Sequence, residues 1–166
     1  MMKQFRTYLI AAVALLGFQT INAQAKTAHV DVREIMTKMP AVLEAQNQLK
    51  KLSDTYTADY KTMVDEYQAK LKKYDAEAAT VTDAVNQTRQ QEVQDMGKRI
   101  GDFQETAQKD LQKKETDLMK PIEDKVKASI QKVGKAKGYQ YILNATDLLL
   151  ADGPDLTADV KKDLGF

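Results

Sequence analysis

Cysteine is absent from the 166-residue chain, which excludes a disulfide framework and a lipid-modified cysteine alike. Histidine occurs once, as His29, with neither a second histidine nor a cysteine to complete a familiar zinc site and no positioned partner that would make it a catalytic base. Its place is the wet or subunit-facing side of a first strand. A concentrated basic patch is missing too, which argues against a nucleic-acid binder. The longest apolar run, Leu9 to Phe18, is half the length of about 20 residues that a membrane-spanning helix needs. Preceded by Lys3 and Arg6 and followed by small residues, it reads as an export signal over 1–25, the shorter reading being preferred to a membrane anchor. Cleavage falls after Ala25 or after Ala23. Because Lys3 and Arg6 are two of the 25 basic residues, the mature chain carries 23 against 24 acidic ones and is close to neutral.

Glycine and proline are both missing from Lys51 to Gln94, where alanine, lysine, glutamate and glutamine dominate. Such a stretch favours helix. Tyr56, Tyr60, Met63, Tyr67, Leu71, Tyr74 and Ala78 form an apolar stripe with an eleven-residue repeat, and Met96, Ile100, Phe103, Ala107, Leu111 and Leu118 repeat its spacing, with Lys114 as the one polar intruder. This period is close to that of a relaxed helix, so a left-handed heptad supercoil is not expected. If the chain folds back, residues whose numbers sum to 174 face each other and the turn lies near Gln87. A somewhat smaller sum fits almost as well, so the tip is placed within 80–91, where Thr82, Asp83 or Thr88 could cap the returning helix. One unbroken helix and a parallel coiled coil is the alternative. The hairpin is preferred because strand-like segments at both ends of the chain must meet to make a sheet.

Those segments are Ala28 to Val32, Tyr139 to Leu143 and Leu148 to Ala151, the last two separated by a polar turn. Pro40 suits the first turn of the long helix, Gly138 closes the returning one, and Pro121 should bend or interrupt it. Thr157 could cap a final helix carrying Val160 and Leu164. Three short strands leave backbone edges open, and Leu148, Leu149 and Leu150 are apolar on both faces, so a second copy is expected to finish the sheet. The interface candidates are Val30, Val32, Tyr139, Tyr141, Ile142, Leu143 and the three leucines. The fold class is thus an α-dominant α+β fold: a long antiparallel helical hairpin over 51–121 projects from a small β-sheet body (26–50 and 122–166) completed by oligomerisation, with Pro40 and Pro121 at the junction.

Tyr60, Tyr67 and Tyr74, seven apart, either pack the seam between arms or offer an aromatic ladder to a bound chain. Gly97 and Gly101 either permit close arm contact or loosen the arm. Acidic pairs such as Asp65-Glu66 and Glu123-Asp124 lie among lysines and read as solvated faces.

The opening strand followed by Glu34-Ile35-Met36 and Pro40-Ala41, the stretch Leu118-Met119-Lys120-Pro121-Ile122, and Lys135-Ala136-Lys137-Gly138-Tyr139-Gln140-Tyr141-Ile142-Leu143 with Asp155-Leu156-Thr157 together resemble the Skp/OmpH family of periplasmic chaperones across the whole mature chain. The resemblance implies a homotrimer with three helical tentacles around a cavity, in the periplasm. It further implies ATP-independent holding of unfolded outer-membrane proteins by the arm residues, with no enzymatic chemistry and no cofactor, nucleic acid or stable membrane insertion. No Gly-rich phosphate loop is present. Well-studied relatives are strongly basic and this chain is not, so no lipopolysaccharide site is carried over. A coiled-coil envelope scaffold or assembly adaptor is the rival reading.

Overall fold

The structure, a computed structural model, describes residues 25–166; the expected export signal lies, except for Ala25, outside the described residues. The first strand, β1, is Thr27–Val30. Asp31 ends it, because its carboxylate accepts from the Glu34 amide at 2.7 Å and so starts helix α1, Val32–Lys38. Val32 is therefore helical, not the last strand residue that its alternating neighbours suggested. Met39 is extended, as a residue before proline must be, and Pro40 opens α2, Pro40–Glu77.

A single 3-10 turn, Ala78–Thr80, and an extended Val81 reverse the chain. Thr82 then caps α3, Asp83–Ala136, its Oγ1 accepting from the Val85 amide. The reversal lies at the near edge of the expected window, some six residues before Gln87. Pro121 sits inside α3 without interrupting it. The expected break does not occur, since Met119 and Ile122 on either side pack against the body core and hold the helix together there. At the far end Gly138, with φ of +75°, lets the Tyr139 amide reach the Gly134 carbonyl at 2.9 Å and the Gly138 amide reach that of Lys135 at 3.0 Å. This pair of bonds satisfies the last carbonyls of α3.

Strand β2, Tyr141–Asn144, pairs in parallel with β1, Ala28 lying opposite Ile142. The expected strand at Leu148 to Ala151 is not formed. Asn144 donates to Thr146 and Asp147, starting a turn over Ala145–Asp147, and the chain continues without a partner until it reaches Pro154. There it joins the other edge of β1: the His29 amide donates to the Pro154 carbonyl and the Leu156 amide to the His29 carbonyl, both at 2.9 Å. His29 is consequently buried between its two neighbours rather than wet. Helix α4, Thr157–Leu164, follows. Thr157 is not its cap; Asp155 accepts from the Thr157 amide at 2.8 Å, and the Thr157 hydroxyl instead accepts from the Asp31 amide at 2.9 Å.

The body core gathers Val30 from the sheet, Ile35 from α1, Met39 and Val42 at the root of α2, Val126 and Val133 from α3, and Leu156 and Val160 from α4. Ile35 and Val160 are wholly buried, each worth about 1.5–3 kcal/mol over an exposed position. Gly134 allows β2 to lie close on α3, for a Cβ there would come within 2.1 Å of Ile142 Cδ1. Charged contacts fasten α4 over this core. Lys161 and Lys132 reach Glu34 and Asp163 at 2.9 and 2.5 Å, and Ser129 adds a hydrogen bond to Asp163 at 2.8 Å.

The Lys161 ammonium, helped by Lys38, holds Glu34 down to about 2, and Lys132 with Ser129 lowers Asp163. A carboxyl whose folded value is depressed stabilises the fold above its unfolded value and loses that contribution as pH falls through the folded one. Thermal melts followed by circular dichroism should therefore show the body weakening from near pH 4.5 towards pH 2, with Lys161→Met flattening the Glu34 part of the slope. Both pairs reach solvent, so added salt should shrink the effect.

Candidate functional site: the paired arms and the open sheet edge

Beyond the body, among the described residues, α2 and α3 pack only on each other. At 1.5 Å per residue the 38-residue α2 extends about 57 Å, far past the reach of a core this small. Their outer faces carry lysine–carboxylate pairs four residues apart, such as Lys61–Asp65, Lys98–Asp102, Lys113–Asp117 and Lys120–Asp124. Each adds a few tenths of a kcal/mol to its helix and marks a solvated face, as their surroundings suggested.

The inner seam is apolar for most of its length. Tyr56, Tyr60, Met63, Tyr67 and Tyr74 of α2 are half-buried, as are Ile100, Phe103 and Leu111 of α3, while Met96 and Ala107 are buried. Tyr56 and Phe103 meet edge to face with centroids 5.9 Å apart, and the Tyr56 hydroxyl donates to Asp110 at 3.2 Å. Tyr74 donates to Glu92. The hydroxyls of Tyr56 and Tyr74 are thus held across the hairpin. Burial pushes the Tyr56 phenol up, with Asp110 adding to it, while for Tyr74 the hydrogen bond to Glu92 leads. Tyr67 lies in ordinary contact with Gly97, and Gly101 faces open space, so close approach of the arms requires neither glycine.

Two expectations about the seam are corrected. Pairing is not at a sum of 174: Tyr74 with Glu92, Glu77 with Arg89 and Ala78 with Asn86 give sums near 165. Leu71 and Ala78 are also off the seam, and their places are taken by Lys70 and Glu77. The covered positions of α2 step in a seven-residue spacing on both sides of Tyr56 and Tyr60, through 42, 45, 49, 52 and 56 near the body and 60, 63, 67, 70, 74 and 77 further out, so the eleven-residue pattern is confined to the extra four-residue step between those two tyrosines. The missed seam residues Lys70, Glu77, Arg89 and Glu92 carry charge, so an apolar stripe could not reveal them. The seven-residue spacing of Met63, Lys70 and Glu77 on α2, and of Arg89 and Met96 on α3, could have.

The proposed interface residues divide into two sets. Val30 is in the protomer's own core, and Val32, Tyr139 and Ile142 pack against it. Lys26 lies over the Tyr139 ring at 5.1 Å. Leu148 is half-buried, whereas Tyr141, Leu143, Leu149 and Leu150 are exposed. Since β1 is flanked by β2 and by Pro154–Leu156, among the described residues the open edge of the sheet is that of β2. The exposed Tyr141 and Leu143 share one of its faces. Below it an apolar groove of about 670 Å³ is floored by Val32, Met36, Val126, Ile130 and Ile142. Pro40 and Pro121 are both exposed, the first at the root of α2 and the second in mid-helix. Among the described residues no group of three or more histidine, cysteine, aspartate or glutamate side chains is placed to hold a metal, and no helix is long and apolar enough to cross a membrane.

A two-helix arm rooted in a small body through both ends of the chain defines a tentacle-and-body protein. The chain belongs to the family described as outer membrane protein (OmpH-like), whose model it matches over residues 26–164. Among solved structures it is similar to a Caulobacter crescentus CB15 protein named for a suggested role as an OmpH-like outer membrane chaperone, with a TM-score of 0.77 and 16% identity, over 86% of this chain and 85% of that one. At that identity the likeness speaks for the fold. No curated protein matches the chain.

The seam makes distinguishable demands on its residues. Met96→Ala removes a side chain only 6% exposed and should cost about 2–4 kcal/mol, whereas Leu71→Ala, at a position 39% exposed, should cost less than about 1 kcal/mol. Urea unfolding of the two variants beside the parent checks both.

Proposed function

We propose that the protein is an ATP-independent periplasmic holdase that binds unfolded outer-membrane proteins and prevents their aggregation in transit. It acts without enzymatic chemistry, after removal of the 1–25 signal. The observation that carries this reading is the arm itself. Two helices paired only with each other cannot cover their apolar edge, so Tyr60, Met63, Ile100 and Phe103 remain half-exposed along a surface tens of ångströms long. An extended polypeptide could lie against such a surface through many weak contacts that need no sequence motif. Several arms acting on one client raise the effective concentration of each contact, which gives affinity while leaving each contact reversible. Family membership supports the same reading.

Several arms require several copies. The open edge of β2 and the exposed Tyr141, Leu143, Leu149 and Leu150 favour association of the bodies, and a homotrimer is the assembly the reading takes. Lipopolysaccharide contact forms no part of it.

Native mass spectrometry of the mature chain, alone and with a urea-unfolded outer-membrane barrel, tests assembly and capture together. The expected species are a trimer and a trimer carrying one client, with light scattering of several unrelated barrels suppressed in the absence of nucleotide. Replacing Leu149 and Leu150 together by Glu should shift the trimer to smaller species. A monomeric parent, or a protein that binds one folded partner and leaves scattering unchanged, would count against the holdase and point to an envelope scaffold.

A further inference from the structure

The outer third of the seam is polar where the inner part is apolar. Lys70 and Tyr74 both donate to Glu92, Arg89 donates to Glu77 at 2.5 Å, and the Arg89 guanidinium lies 4.6 Å from the Tyr74 ring centroid. One turn further out the Asn86 amide donates to the Ala78 carbonyl at 2.9 Å. Arg89 is unusually enclosed for an arm surface, its side chain 18% exposed and its Nη1 buried without a partner. Each of these groups costs desolvation that a leucine would not. Leu71, one residue from Lys70, is meanwhile turned out to solvent.

We propose that Lys70, Tyr74, Glu77, Arg89 and Glu92 are positioning residues that lock the fold-back register of the arm. A periodic apolar stripe does not by itself choose between registers, and the stripe built on Leu71, Ala78 and Met96 favours a pairing about ten residues further along α3, with the turn near Gln87. In that pairing Glu92 would face Thr82, and Lys70 would face Gln104, so none of the charged contacts would form. The charge cluster thus favours one register and penalises the other, as a polar residue at a coiled-coil seam fixes register at some cost in stability. The lock holds whether or not the arms grasp unfolded chains.

Because the chain has no cysteine, a pair introduced at the exposed Lys73 and Gln91 can be spin-labelled cleanly in the full mature protein, and its spacing read by double electron–electron resonance. In the parent these positions sit abreast and one short distance is expected. With Arg89→Leu and Glu92→Leu, circular dichroism should show the helices retained, and a second, longer population should appear, its two sites offset along the arm by about 15 Å, the axial rise of ten residues. Exchanging the charges by Glu77→Arg with Arg89→Glu should bring back the single short distance. A variant that keeps the single distance overturns the lock, and so does one whose outer arm loses helix without gaining a second register, since the cluster would then supply stability alone.

Discussion

Everything in this molecule follows from the parallel pairing of β1 with β2. It brings together segments far apart in the chain, as the 112-residue separation between Val32 and its bonding partner Asn144 shows. What lies between must leave the body and return. A parallel pair cannot be closed by a tight turn, so the connection is a crossover, here drawn out into two helices of 38 and 54 residues. The arm is that crossover. Its root is fixed because both ends are sewn into one core, Met39 and Val42 at the start of α2 and Val126 and Val133 towards the end of α3.

Away from that core the arm has only one partner surface, and the chemistry of the seam changes along it. Near the body the two helices exclude water with Ala45, Leu49, Tyr56 and Phe103, and further out with Met63 and Met96. At the outer end charged side chains take over. Long lysine, arginine and glutamate stems cover apolar neighbours while their heads pair across the hairpin, so the outer arm is held by geometry more than by burial. A tip built in this way is soluble, and it is specified in register. An all-leucine tip would be neither: its apolar edge would invite association, and its contacts would be equally good after a slip of one or two turns.

The parts of the fold governed by local chemistry were legible in the sequence. Pro40 as a helix start, Gly138 as a helix end, Thr82 among the caps and the two matched stripes all follow from rules that act within a few residues. The errors over the third strand, His29 and the register share one cause, which is that each depended on a partner distant in the chain. Leu148-Leu149-Leu150 has strand composition, yet the edge of β1 it might have joined is occupied by Pro154–Leu156, so no strand forms. His29 looked like a surface histidine because nothing local shows that a second chain segment will lie beside it. The register was misplaced because apolar periodicity repeats, whereas the Lys70–Glu92 and Glu77–Arg89 pairs that break the tie are visible only once the helices are laid side by side. In the site, the seven-residue spacing of Tyr60, Tyr67 and Tyr74 was readable. Which of the body residues face inward was not, since that depends on how the helices pack against the sheet.

Pro121 shows how arm and body are made one piece. A proline inside a helix removes one hydrogen bond and crowds the preceding turn, and on a free helix that would mark a joint. Here the helix carries through, because Met119 and Ile122 are held by the core on one face while Pro121 faces solvent on another. The direction in which α3 leaves the body is therefore set by packing, and α2 is bound to follow it through their common seam. Between the root and the charge cluster the seam still holds Met96 as a buried side chain. That is where Gly97 and Gly101 each give up about 1 kcal/mol of helix preference relative to alanine, and where no added Cβ would meet an obstacle. The middle of the arm thus combines a buried methionine with two glycines that no seam contact requires, between two anchors of different chemistry.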